Sequence, residues 1–89
     1  MTDTKKLTQA REVVEREYIW AVAYLKVTGD DEDDESLRLL RAGRVATIAT
    51  ILSEGFGYER EDFVRLSVIA EEKKTEILKS PSMAFRNIA

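Results

Sequence analysis

The chain has 89 residues, 44% apolar and 35% charged, with no cysteine and no histidine. That composition describes a folded chain and excludes disulfides, thiolate zinc sites and imidazole ligands together. A chain this short makes one domain and buries only about 60–65% of the surface its unfolded form exposes, so association with another chain is the remaining way to reinforce its core. Six of the seventeen acids are consecutive at 30–35, which leaves 14 basic against 11 acidic residues elsewhere, so the two signs of charge are segregated. No apolar run reaches the roughly 18–20 residues that span a bilayer. The opening Met1-Thr2-Asp3-Thr4-Lys5-Lys6 leads into a charged helix rather than the apolar segment of a signal peptide, and the expected compartment is cytoplasmic.

The first predicted helix begins at Thr2, Asp3 or Thr4, all good N-caps, and ends at Thr28-Gly29, where glycine can take the left-handed cap conformation. At about 100° per residue, Leu7, Ala10, Val14, Tyr18, Ala21 and Leu25 form one apolar stripe. Val13, Trp20, Tyr24 and Val27 form a second beside it. A helix in a small monomeric domain normally hides one stripe about 100° wide, so two stripes imply packing against its own domain and against a second copy.

The acidic run Asp30-Asp31-Glu32-Asp33-Asp34-Glu35 reads as a solvated connection whose last residues favour the start of the next helix. The second helix is predicted from 36 to 54 and stops at Gly55, with Phe56 folding back on Ile51 in a Schellman cap. Its β-branched run Val45 to Ile51 suits a strand on propensity alone, but the flanking caps and the lack of a partner strand favour helix. Ala42, Ala46 and Ala49 form a small-residue strip with Gly43 alongside. A mid-helix glycine costs about 1 kcal/mol relative to alanine, and a close crossing by another helix backbone would offset it. The turn Gly55-Phe56-Gly57-Tyr58 leads into a third helix over 59–79, with Tyr58 and Phe63 spaced as a hydrophobic staple around a cap near Glu59. Phe63, Leu66, Ala70 and Ile77 make its inward stripe, and Pro81 closes it. The tail over 80–89 carries Met83, Phe85 and Ile88, apolar residues suited to docking on the protomer, its mate or a partner.

The fold expected is therefore all-α: a three-helix protomer with helices at about 3–28, 36–54 and 59–79 and a C-terminal tail, forming one helical domain over 1–89 and assembling as a helical-bundle homodimer through its first two helices. The residues assigned to the dimer or partner interface are Val13, Tyr18, Trp20, Tyr24, Val27, Ala42, Ala46 and Ala49. Phe56, Tyr58, Met83, Phe85 and Ile88 are assigned to partner contact.

Catalytic and metal chemistry find little support in the residues. Without histidine or cysteine, proton transfer would fall to carboxylates, lysine or tyrosine, and no grouping of these points to a pocket. An EF-hand loop begun at Asp31 places Ser36 where the turn needs glycine and Ala42 where the bidentate glutamate belongs. No catalytic residue, cofactor or metal is expected. Arg38, Arg41 and Arg44 recur every third residue as a phosphate-binding stripe would, yet they border the core, and pairing with acids of the other helices is their expected fate. A helix-turn-helix reading fails because the recognition helix would open Glu59-Arg60-Glu61-Asp62, whose acids repel phosphate. The leading expectation is a non-catalytic interaction or regulatory protein acting as a homodimer with an unidentified protein partner. The alternatives are a nucleic-acid-binding regulator using the three arginines, and an acidic inhibitor that mimics phosphates through residues 30–35.

Overall fold

The computed structural model describes residues 2–28 and 35–79, and these are all-helical apart from short connections. Helix α1 spans Thr2–Val27, α2 spans Glu35–Thr50 and runs directly into a π-helical turn at Ile51–Gly55, and α3 spans Arg60–Lys79. The β-branched run is helical throughout. Met83, Phe85 and Ile88, like Gly29 and acids 30–34 of the connection, lie outside the described residues.

Helix α1 is the centre of the arrangement: α2 and α3 each pack against it, and their backbones do not approach one another. Tyr18, Ile19, Ala21, Val22 and Ala23 are all buried, so one and a half turns of α1 are enclosed nearly all round. Ile19, Val22 and Ala23 belong to neither predicted stripe. They are covered because α3 lies along the side of α1 opposite the two stripes, where it also meets Glu15 and Lys26. The core joins Tyr18, Ile19 and Val22 to Leu52 of the π turn and to Leu66 and Ala70 of α3. At the other extreme, every residue from Thr4 to Val13 is exposed, including Leu7 at 63%.

The exit from α2 differs from the predicted cap. Gly55 has no positive φ, and the left-handed residue is Gly57, with φ of 72°. The π turn explains the shift, because its wider winding carries the helical path past Gly55 before the chain reverses. The Gly57 N–H then donates to the Ser53 carbonyl at 3.1 Å and the Tyr58 N–H to the Leu52 carbonyl at 3.0 Å. Leu52 ends fully buried while Ile51 stays 44% exposed.

The start of α3 follows the predicted pattern. The Glu59 carbonyl accepts from the N–H groups of Asp62 and Phe63, and the Asp62 carboxylate accepts from the Glu59 N–H at 2.9 Å, which is the backward half of a capping box. Tyr58 and Phe63 meet across the cap in a tilted contact with ring centroids 6.1 Å apart, as the staple requires. Leu66, Ala70 and Ile77 are buried as expected.

Two glycine substitutions separate the observed turn from the predicted one. Gly57→Ala forces a β-carbon into a left-handed conformation and is expected to cost about 1–2 kcal/mol. Gly55→Ala meets only Ile51 at 4.0 Å and is expected to be neutral or to stabilise by up to about 1 kcal/mol. Chemical denaturation of the two variants checks the order, and Leu66→Ala, expected to lose about 2–5 kcal/mol, calibrates the scale.

Candidate interaction surface

Helix α2 has no buried residue along its length. Arg41 reaches the end of α1 and half-buried Val45, Ile48 and Ala49 pack against the core cluster, while much of the apolar content of α2 faces outward. Leu39 is 67% exposed and Leu40 72%. The outward side begins with Glu35 in the first turn and continues with Ser36, Leu39, Leu40, Ala42, Gly43, Ala46, Thr47 and Thr50, all exposed and, after Glu35, none charged. The hydroxyls of Thr47 and Thr50 donate at 2.9 Å to the carbonyls of Gly43 and Ala46 on their own helix, which masks their polarity.

Within the protomer the small-residue strip is not the close crossing it was expected to be. Ala42 and Ala46 are exposed, Ala49 is half-buried, and a β-carbon built on Gly43 meets nothing within 4 Å. The reason is orientation: α1 takes the side of α2 marked by Val45 and Ile48, and the strip turns away from it. Ser36, Leu39, Gly43, Ala46 and Thr50, alternately three and four apart, form the centre of the outward face. From sequence, Leu40 and Ile51 lie nearly opposite the side of Val45, Ile48 and Leu52, but neither Leu39 nor Leu40 is assigned to the interface, although the absence of charge at these positions was a usable signal.

The other assigned residues divide between core and surface. Tyr18 is corrected to the protomer's own core, where its ring lies 5.5 Å from Phe63, because α3 reaches it. Val13 is 48% exposed, and Trp20, Tyr24 and Val27 are half-buried. Trp20 and Tyr24 stand 6.0 Å apart on the open side of α1, with Lys73 of α3 5.6 Å from the indole and Arg41 of α2 5.5 Å from the phenol ring. Phe56 and Tyr58 are half-buried against the core cluster.

The arginines tie α2 to α1. Arg41 donates from Nη1 to the Tyr24 carbonyl at 3.0 Å and to Thr28 Oγ1 at 2.6 Å, satisfying groups at the C-terminal end of α1. Arg44 pairs with Glu17 at 3.0 Å. Arg38 also has an interaction within the protomer. Exposed ion pairs contribute about 0–1 kcal/mol each, so the Arg44 pair orients α2 more than it stabilises it.

On the opposite flank, Glu15 accepts a hydrogen bond from the Tyr58 hydroxyl and lies 3.6 Å from Arg65. Burial, and then the hydrogen bond to Glu15 and that residue's charge, raise the Tyr58 pKa above its ordinary value near 10, against the opposing pull of Arg11 and Arg65. Lys26 donates to Glu71 and holds its carboxyl below the usual glutamate value. Among the described residues no three acidic side chains gather to hold a metal ion, and no helix is long and apolar enough to cross a membrane. The chain matches no family model, no curated protein and no solved structure.

The two shifts set opposite pH limits. The raised Tyr58 pKa adds stability that is complete below about pH 10 and is lost as pH climbs through the folded-state value. The stability difference between the parent and Tyr58→Phe is therefore expected to shrink as pH rises above about 10. The lowered Glu71 pKa adds stability present above the usual glutamate value and lost as pH falls through the folded one, and Lys26→Met is expected to flatten that acid limb. Denaturation midpoints across the pH range check both.

Proposed function

We propose that this chain is a small non-catalytic helical protein that works as a homodimer and serves as an interaction or regulatory module. The observation that carries this reading is α2, a helix of 16 residues that buries none of them in the protomer while presenting an outward face that is uncharged from Ser36 to Thr50. Apolar helical faces without charge are normally covered, and an 89-residue chain without disulfides or thiolate and imidazole metal sites has association as its main reinforcement.

The face is also self-complementary. A two-fold axis between Gly43 and Ala46 of two antiparallel α2 helices sets Gly43 against Ala46 of the mate and Leu39 against Thr50, the isologous pairing of a symmetric dimer. The small residues at the centre let the backbones approach closely, the leucines cover the ends, and the antiparallel dipoles attract. In this arrangement Trp20 and Tyr24 remain accessible beside the dimer. The placement of Arg41 and Arg44 in the seam with α1, rather than along an open stripe, favours this reading over one in which the arginines track an extended nucleic-acid backbone.

Sedimentation at rising concentration is expected to show a monomer–dimer equilibrium, and a monomer persisting at tens of micromolar, on the order of assay concentrations, defeats the reading. Ala46→Leu is expected to abolish association and leave the secondary structure of the dilute monomer intact, since the added volume clashes only across the axis. Because the chain has no cysteine, G43C/A46C is expected to form a disulfide-linked dimer. Leu39→Cys alone is not, because antiparallel mates hold its two copies about one and a half nanometres apart at 1.5 Å per residue. Cross-linking through Leu39→Cys alone would indicate a parallel pair.

A further inference from the structure

The geometry points to a binding site for a small planar anion, an aromatic ring bearing a phosphate or carboxylate, in the cleft between α1 and α2. The cleft has a volume of about 340 Å³ and is lined by Glu17, Trp20, Ala21, Tyr24, Arg41 and Arg44. That volume lies at the lower end of the roughly 300–1,000 Å³ range of ligand sites and suits one or two rings.

Its chemistry is of two kinds. Trp20 and Tyr24, with centroids 6.0 Å apart and planes inclined at 33°, form an aromatic wall on α1; Arg41 already lies 5.5 Å from the Tyr24 centroid, so a flat ring would lie against the indole. Arg41 and Arg44 form the facing wall on α2. Glu17 is the one acid of the lining, and Arg44 pairs with it at 3.0 Å, so the lining keeps a net positive charge. Arg41 is fixed in place by its two bonds to the end of α1. Among the described residues those bonds engage the Nη1 end of a guanidinium with five donors. A held guanidinium grips a phosphate or carboxylate at lower entropic cost than a free one, and its plane can also stack on the ligand ring. Ala21, small and buried at the cleft floor, leaves the depth open.

Trp20 is the single tryptophan of the chain, so its fluorescence reports this cleft alone. Titration with AMP and with phenyl phosphate is expected to give saturable quenching by at least one of them, with a dissociation constant at or below about 1 mM. Adenosine and inorganic phosphate, each carrying half of the chemistry, are expected to bind at least about tenfold more weakly, a loss of about 1.4 kcal/mol. Preference for AMP identifies a nucleotide as the source, and preference for phenyl phosphate a simple aromatic anion. Arg44→Gln is expected to weaken binding about tenfold while leaving the circular dichroism spectrum unchanged. Absence of saturable quenching by both probes, or equal affinity for the half-ligands and the whole ones, overturns the assignment. So does an undiminished affinity in folded Arg44→Gln.

Discussion

The enclosure of α1 between residues Tyr18 and Ala23 is the constraint on which the rest of the structure depends. One helix supplies the contact surface for both others, and α2 and α3 do not brace one another. In a bundle where each helix touches two neighbours, removing one contact leaves two. Here α2 has a single supporting face, so its placement rests on Val45, Ile48 and Ala49 and on the polar links of Arg41 and Arg44. That explains why a helix rich in leucine, valine, isoleucine and alanine leaves none of them fully buried.

The two flanks of α1 are fastened by different physics. On the α3 side, fully buried Leu66 and Ala70 meet Ile19 and Val22, and the Tyr58–Phe63 staple fixes the entry angle of the helix. Apolar burial at about 25 cal/mol per Å² dominates there. On the α2 side, hydrogen bonds from Arg41 to the end of α1 take a larger share, and these fix orientation without supplying much area. The flank held by polar contacts is also the flank that carries the uncharged outer face and the aromatic cleft. Both proposals for the protein's activity therefore fall on α2 and its seam with α1.

Some local structure was legible because it depends on neighbours in sequence. The helix types, the cap at Glu59, the staple and the inward stripe of α3 all follow from interactions over three to five residues. The π turn was not legible. A periodicity of 3.6 assigns Gly55 to the end of α2, and the two-residue displacement to Gly57 arises where the helix widens as buried Leu52 joins the core formed by α1 and α3. Ile19, Val22 and Ala23 were passed over for a related reason: stripes drawn on one helix cannot say on which side a third helix will lie.

The candidate site divides in the same way. Sequence by itself determined that α1 carries more apolar surface than one neighbour can cover, that Ala42, Gly43 and Ala46 form a small-residue strip, and that the arginines of α2 lie beside its apolar side. Only the tertiary structure decided that Tyr18 belongs to the core while Trp20 and Tyr24 line a cleft, that Arg41 and Arg44 reach α1, and that the small-residue strip points away from the protomer. Periodicity assigns residues to faces of their own helix, whereas which face meets which depends on how two helices share the circumference of a third.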